Sequence, residues 1–464
     1  MSMKSVNPTT GDTLAEFETL SSDALEARLT RASEVVLRWR YTAVAERAAV
    51  VNRLADLLDT EKERLGRMMT LEMGKPIQAA IDEAAKCAMA CRFYAKHGPS
   101  FIADTPVADA EHRSFIAYEP LGVVLAVMPW NFPFWQVVRF LAPAIVAGNV
   151  GLLKHASNVP QCALELESLV RRAGAPEGVF QTLLVGSDAI PGIIADPRVA
   201  AVTLTGSEGA GRSVARAAGT ALKPSVLELG GSDPFIVMPS SDIGLASQTA
   251  VKARTINNGQ SCIAAKRFIV HRSIAEDFTR RFAAGMQALR VGDPIDPATQ
   301  LGPLASAKLA DELHEQVQKS VAMGARIVCG GTHERGSAYY PATVLTDIPI
   351  DAPAYSEELF GPVGCIFVAD DVADAIRVAN DTRFGLASSV WTNVVSEQER
   401  FARELDAGSV FVNDMVVSDP RFPFGGVKSS GYGRELSDVG LRAFTNVKTV
   451  RIRQASGAHE GTTE

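Results

Sequence analysis

At 464 residues the chain is too long for one ordinary hydrophobic core, so two or more domains are expected. Its 47% hydrophobic and 21% charged content is that of a soluble globular protein. Lys plus Arg number 46 against 53 Asp plus Glu, a net charge of −7 without a dense basic tract, which argues against a nucleic-acid partner. The N-terminus, Met1-Ser2-Met3-Lys4-Ser5-Val6-Asn7-Pro8, has no apolar signal core, and no apolar run is long enough for a membrane span. Six cysteines (Cys87, Cys91, Cys162, Cys262, Cys329, Cys365) are scattered without a CxxC pair, and seven histidines form no HExxH. These patterns predict a reduced cytoplasmic protein with no metal site.

Asn7-Pro8-Thr9-Thr10-Gly11-Asp12 is a turn cluster, and a helix follows it. Asp23 with Glu26 three residues on gives the cap, and Leu25, Leu29, Ala32 and Val36 mark one face. A second helix is predicted over about 45–73, closed by Gly74 and Pro76, and a third over about 77–97. From Ser114 the texture changes. Residues 114–120 and 123–127 read as strands around a Pro-Leu-Gly turn. Pro129-Trp130-Asn131-Phe132-Pro133 follows, with Asn131 either a turn former or an amide donor aimed at an oxyanion.

A helix over about 134–147, a strand at 150–153 ending in Lys154, a helix over about 160–173, and strands at 178–185 and 200–205 come next. Such alternation predicts a parallel sheet covered on both faces. Gly206-Ser207-Glu208-Gly209-Ala210-Gly211 opens the next helix, either as a dinucleotide cradle or as a plain tight turn. In Leu227-Glu228-Leu229-Gly230-Gly231 a carboxylate lies among apolar neighbours. Burial there would raise its pKa toward that of a general base. A helix over about 243–254 then leads to Asn257-Asn258-Gly259-Gln260-Ser261-Cys262. Cys262 is either a small buried hydrophobe or, near a helix end and in an excluding pocket, a nucleophile. Further strand–helix units run to the end, through Glu357-Glu358-Leu359-Phe360-Gly361-Pro362 and Pro423-Phe424-Gly425-Gly426. A final strand is predicted over 446–453 and a disordered tail after Gln454.

Taken together, Pro129 to Pro133, Leu227 to Gly231, Gly259 to Cys262, Glu358 to Pro362 and Pro423 to Gly426 resemble, in order and spacing, the motifs of the aldehyde dehydrogenase superfamily. The resemblance covers essentially the whole chain. It implies an α/β fold with a Rossmann-like cofactor domain (1–112 and 128–237) and an α/β catalytic domain (238–430). It also implies a β arm (113–127 and 440–455) that exchanges strands in a homodimer or dimer of dimers. The activity implied is NAD(P)-dependent oxidation of an aldehyde to an acid. Carried over by motif, Cys262 is the nucleophile, Glu228 the base that activates water, and Asn131 an oxyanion donor together with the Cys262 N–H. Lys154 would hold the adenosine ribose and Glu358 the nicotinamide ribose. Gly206, Ser207 and Gly211 form the pyrophosphate turn, and Phe360 and Trp130 lie beside the cofactor.

Within the family the wording is closest to short bacterial succinate-semialdehyde dehydrogenases, through Leu153-Lys154-His155-Ala156, Trp135-Gln136-Val137 and Glu228 to Pro234. That resemblance makes Arg139 and Ser418 ligands of a distal substrate carboxylate; the alternative for Arg139 is a helix-surface ion pair. Longer relatives carry a second arginine where this chain has Ile256, and Arg254 is the candidate substitute. Ser157 stands where NAD-preferring relatives often carry a glutamate, so NADP should be accepted as well as NAD. Ser157 could also cap the next helix. Glu228 argues against a CoA-acylating relative, and the full set of catalytic residues against a retired scaffold. Another semialdehyde, or an aliphatic or aromatic aldehyde, is the competing substrate.

Overall fold

The computed structural model describes residues 2–453. The disorder expected after Gln454 and the last two residues of the expected arm lie outside the described residues.

A six-stranded sheet runs in the order Gly431–Tyr432, Ser225–Glu228, Val199–Thr205, Val123–Met128, Val150–His155, Phe180–Thr182. Every pairing is parallel except that of Gly431–Tyr432 with Ser225–Glu228. From Val123–Met128 the chain builds outward through Val150–His155 and Phe180–Thr182, then returns to the other side for Val199–Thr205. That reversal is a topological switch point, and dinucleotides bind in the crevice beyond the carboxyl ends of the two flanking strands. Both strands deliver motif residues there: Met128 leads into Pro129-Trp130-Asn131, and Thr205 into Gly206-Ser207.

A seven-stranded sheet runs in the order Arg326–Cys329, Thr343–Thr346, Val363–Ala369, Arg267–His271, Pro234–Val237, Ala387–Trp391, Ser409–Val412. It is parallel apart from the edge pairing of Arg326–Cys329 with Thr343–Thr346. Here the motif residues precede the strands: Cys262 comes before Arg267–His271 and Glu358 before Val363–Ala369. The amino ends of this sheet therefore meet the carboxyl ends of the first. Hydrogen bonds from Asn131 Nδ2 to the Gln260 carbonyl (3.0 Å) and from the Gly231 N–H to Glu358 Oε1 (3.1 Å) join the two. Thr445–Arg453, His112–Pro120 and Thr105–Val107 form a separate antiparallel sheet, and Ser2–Val6 pairs with Thr13–Glu18 in a hairpin that sequence patterning did not indicate.

Several expectations are corrected. Residues 113–127 do not share one arm: His112–Pro120 does lie in the three-stranded sheet, but Val123–Met128 is an interior strand of the cofactor sheet. Its run Val-Val-Leu-Ala-Val-Met is apolar at every position, as a strand covered on both faces must be. Gly122, at φ +128°, turns the chain from one sheet to the other. Pro234–Val237 likewise belongs to the second sheet, between Arg267–His271 and Ala387–Trp391, not to the cofactor domain. The first helix, Ser22–Trp39, is capped by Ser21, whose hydroxyl accepts from the Ala24 N–H; Asp23 sits in its first turn. The helix expected over 45–73 is two, Val44–Thr60 and Lys62–Met73, broken where Glu61 leaves helical geometry. The predicted strand over 178–185 is regular only at Phe180–Thr182. Among the described residues no helix is long and apolar enough to cross a membrane.

Candidate active site

The loop bearing Cys262 is fixed at nearly every residue. Helix Ile243–Thr255 ends, and Asn257, Asn258 and Gly259 adopt left-handed backbone conformations in succession (φ 55°, 57° and 75°). For a non-glycine residue this costs about 1 kcal/mol or more, which asparagine offsets by local hydrogen bonding. Asn257 Nδ2 donates to the carbonyls of Asn131 (2.7 Å) and Gln260 (3.0 Å); Asn258 Nδ2 donates to those of Gly74 (3.0 Å) and Pro303 (2.8 Å). Gly259 packs on the Gly361 carbonyl so closely that a Cβ there would lie 2.3 Å from its carbon. Beyond Cys262, the buried Lys266 ammonium donates to the carbonyls of Ser261, Cys262 and Ala264, each at 3.0 Å. With the carbonyls of the loop tied back in this way, the thiol is left facing a cavity.

Cys262 is the one cysteine not fully buried among six unpaired ones. No helix amino end lies beside it in the chain, contrary to the ionisation aid expected there, and desolvation pushes its thiol up to about 12, against the pull of the Arg139 guanidinium. A thiol held protonated needs a base at the moment of attack. Asn131 is buried, its Nδ2 on the Gln260 carbonyl two residues before the cysteine, which brings its amide to the nucleophile loop with one N–H still free. Glu228 is also buried, and neither carboxyl oxygen has a hydrogen-bond partner. Burial raises its pKa well above the ordinary range, Arg139 and Arg434 opposing and Glu435 reinforcing. Glu228 is not on the wall of the cavity that holds the thiol; its carboxyl rests against Gly425, where a Cβ would lie 2.6 Å from Oε1. No hydrogen bond holds it there.

The cavity has a volume of about 440 Å³ and is mostly apolar-walled, with Cys262, Phe132, Trp135 and Phe424 among its lining. Arg139 and Ser418 both reach it, as expected, but Arg139 is not on a helix surface. All of helix Trp135–Ala147 is buried, and the Arg139 guanidinium is ion-paired with the buried Glu435. It also donates to Thr205 Oγ1 at 3.0 Å and lies over the Phe424 ring at 5.0 Å. Ile256 is on the cavity wall, whereas Arg254 turns away to donate to the Gly259 carbonyl at 2.6 Å, so Arg254 does not replace the missing second arginine. One cavity residue escaped sequence reasoning. Lys86, on helix Ile77–Phe101, sends its ammonium to Ser418 Oγ (2.8 Å) and over the Trp135 ring (4.3 Å). Nothing in the sequence around it, a lysine in a regular helix, signals this.

The cofactor candidates gather at the switch point. Ser207 caps helix Glu208–Thr220, its hydroxyl accepting from the Ala210 N–H at 3.3 Å, and the preceding Gly206 N–H donates to the Glu228 carbonyl at 3.0 Å. Gly211 lets that helix close on its neighbour: a Cβ there would meet Leu229 at 2.5 Å. This tight helix–strand contact, with the helix amino end at the crevice, fits a pyrophosphate. Lys154 is the last residue but one of strand Val150–His155, and burial lowers its pKa. Ser157 does not cap the next helix; Val159 occupies that position, and Ser157 is exposed. Glu358 accepts from Gly231 and lies 3.4 Å from Lys266; burial raises its carboxyl pKa while Lys266 lowers it. Phe360 meets Trp130 edge-on, with 5.8 Å between ring centres. These groups could hold a dinucleotide at both its adenosine and nicotinamide ends.

Comparison with known proteins agrees with this geometry. The family model described as "Aldehyde dehydrogenase family" matches residues 1–450. The chain is 55% identical over 467 residues to the succinate-semialdehyde dehydrogenase (NADP+) of Mycobacterium avium (strain 104), covering 99% of each. To that of Mycobacterium leprae (strain TN) it is 52% identical over 456 residues, 97% of this chain and 100% of the other. The crystal structure of succinic semialdehyde dehydrogenase from Streptococcus pyogenes in complex with NADP+ superposes with a TM-score of 0.95 at 35% identity, over 97% of this chain and 100% of that one. The chain belongs to the aldehyde dehydrogenase family, and its activity is the NAD(P)-dependent oxidation of an aldehyde by way of an active-site cysteine.

Proposed function

We propose that the aldehyde is succinate semialdehyde and the product succinate. The observation that carries this is the cavity: Cys262 and a cluster of Ser418 and cationic side chains line one mostly apolar cleft. A short aldehyde with a terminal carboxylate matches a wall with a nucleophile and a set of convergent polar donors. The names of the relatives point the same way.

In this reading the Cys262 thiol passes its proton to water as it adds to the carbonyl carbon, and the oxyanion is met by the Asn131 amide and the Cys262 N–H. The bound nicotinamide supplies the hydride acceptor. Loss of hydride leaves a thioester, which water cleaves after Glu228 takes its proton, releasing the acid and returning the thiol. Glu228 rests against Gly425 with neither carboxyl oxygen hydrogen-bonded, so no hydrogen bond has to break for its side chain to turn. Gly206, Ser207 and Gly211 would seat the pyrophosphate, Lys154 and Ser157 the adenosine ribose, and Glu358, Phe360 and Trp130 the nicotinamide end. With no carboxylate at the exposed Ser157, a 2′-phosphate meets no repulsion, and NADP is accepted alongside NAD. The unpaired cysteines suit a reducing, cytoplasmic compartment, and the antiparallel arm suits a homodimer or dimer of dimers. Initial rates on succinate semialdehyde, glutarate semialdehyde, butanal and benzaldehyde, with and without CoA, test the assignment. A wild-type enzyme that turns over butanal as efficiently as succinate semialdehyde would refute it.

A further inference from the structure

We propose that Glu83, paired with Lys75, is a positioning residue for the reaction: the pair braces the turn that carries Asn131 against the nucleophile loop. This rests on the reading of Asn131 as the oxyanion donor and deepens it.

Asn131 does not fix its own amide. Nδ2 donates to the Gln260 carbonyl at 3.0 Å and Oδ1 has no partner, so the aim of the remaining N–H follows the backbone turn Asn131-Phe132-Pro133-Phe134. That turn opens helix Trp135–Ala147, whose cap position is held by Phe134, a side chain with no acceptor for the unpaired N–H groups of a first helical turn. Glu83, on helix Ile77–Phe101, supplies the acceptor from outside. Its Oε1 takes the N–H groups of both Phe134 and Trp135, each at 2.9 Å. A carboxylate at a helix amino end is favoured by the helix dipole as well. Oε2 is paired with the fully buried Lys75 ammonium, which lies 4.3 Å from the centre of the Phe132 ring. The ion pair therefore grips the turn on both sides of Pro133, through the ring before it and the backbone after it. Glu83 borders the cavity, but both of its oxygens are engaged in this way.

Lys75 closes the circuit. The carbonyl of Gly74, directly before it, accepts from Asn258 Nδ2 at 3.0 Å, and Asn258 belongs to the nucleophile loop. From the same loop Asn257 Nδ2 donates to the Asn131 carbonyl at 2.7 Å. Nucleophile loop, Gly74-Lys75, Glu83 and the Asn131 turn form one closed ring of contacts. Opened at Glu83, the turn keeps its bonds to the nucleophile loop and the His155 Nε2 bond to the Pro133 carbonyl (2.8 Å), and loses its hold at the helix end. A pair kept for stability alone has simpler substitutes, since packed apolar side chains often replace a buried ion pair without loss. A shift of about 1 Å in a reacting group, by contrast, costs on the order of 100-fold in rate.

The test measures the single-turnover rate of cofactor reduction per cofactor-binding site, by rapid mixing, with whichever of succinate semialdehyde and butanal wild type turns over faster. The proteins are wild type, Asn131→Ala, Glu83→Gln, Glu83→Asp, and each Glu83 variant combined with Asn131→Ala. The one oxygen of glutamine cannot serve both the Lys75 ammonium and the two N–H groups, and aspartate keeps the charge but is a methylene short of spanning them. Glu83→Gln should slow the step roughly 10- to 100-fold and Glu83→Asp about tenfold, with cofactor affinity unchanged. In the Asn131→Ala background neither should slow it further by more than about twofold, whereas a pair that merely supports the fold would lower the rate by the same factor in both backgrounds. Glu83→Asp retains the buried charge and carries the test if Glu83→Gln does not fold. Asn131→Ala slowing the step, with the Glu83 variants either harmless or multiplying their factors onto it, overturns the Glu83 proposal and leaves the oxyanion reading standing. Asn131→Ala without effect overturns the oxyanion reading and the proposal with it.

Discussion

Replacing Glu228 by glutamine should separate stability from turnover. In the structure the carboxyl is 2% exposed, has no hydrogen-bond partner on either oxygen, and has its pKa raised by burial. An acid whose folded pKa exceeds its unfolded value, about 4.3 for glutamate, binds the extra proton in the folded state. Below pH ~4.3 both states are protonated and Glu228 exacts no ionisation penalty. As pH rises from there toward the folded pKa, folding loses stability at up to about 1.4 kcal/mol per pH unit for this single group. Glutamine has the same shape and no titration. Glu228→Gln should therefore gain on wild type as pH rises above about 4.3, seen in urea unfolding followed by tryptophan fluorescence. In rapid mixing the same variant should give a burst of reduced cofactor close to one per site, followed by almost no steady rate, because the thioester forms and is not hydrolysed. A stability difference that does not change with pH would show that Glu228 is not desolvated in solution. A missing burst, with hydride transfer itself slowed, would make Glu228 the base that activates Cys262.

Asn131→Ala should slow acylation by about 3 kcal/mol, on the order of 100-fold, with burst kinetics reporting the slowed step and cofactor affinity retained. Ser157→Glu should move the ratio of kcat/KM for NADP over NAD toward NAD by about tenfold or more, since a carboxylate then faces a 2′-phosphate; an unchanged ratio would remove this position as the discriminator. Cys262→Ala should abolish turnover while titration of protein fluorescence still detects the cofactor. Under peroxide, wild-type Cys262 should proceed to sulfinic acid without an internal disulfide, because the other five cysteines are buried; peptide mapping that finds a Cys262 disulfide would contradict this.

What the sequence made legible follows from where information sits along a chain. Cys262, Asn131 and Glu228 announce themselves through short motifs whose glycines and asparagines are demanded by local geometry. Gly259 packs on the Gly361 carbonyl, and Asn257 holds Asn131 and Gln260 together. Arg139 was legible as a cavity residue, but its ion pair was not, since the buried Glu435 that meets it lies near the other end of the chain. Lys86 was not legible at all: it sits on an ordinary helix, and only packing places it against Trp135 and Ser418. The division between arm and cofactor sheet failed for a different reason. Two strands close in sequence look like a hairpin, and only the unbroken apolar run of Val123–Met128 hinted that it was covered on both faces.

The short strand Gly431–Tyr432 has a bearing on how the protein is made. It closes the edge of Ser225–Glu228, and the Ser430 carbonyl just before it takes the Leu229 N–H at 2.9 Å. During synthesis, the segment that carries Glu228 leaves the ribosome long before its edge partner does, so through most of translation this side of the sheet is unpaired. Thr445–Arg453, the partner of His112–Pro120, arrives later still. The nascent chain thus carries two open β edges until almost its last residues emerge, an exposure that favours wrong pairings between neighbouring chains on the same message. Chains cut short before residue 431 would lack the closing strand at the Glu228 edge, and an assay of released fragments should find them prone to aggregate and without activity.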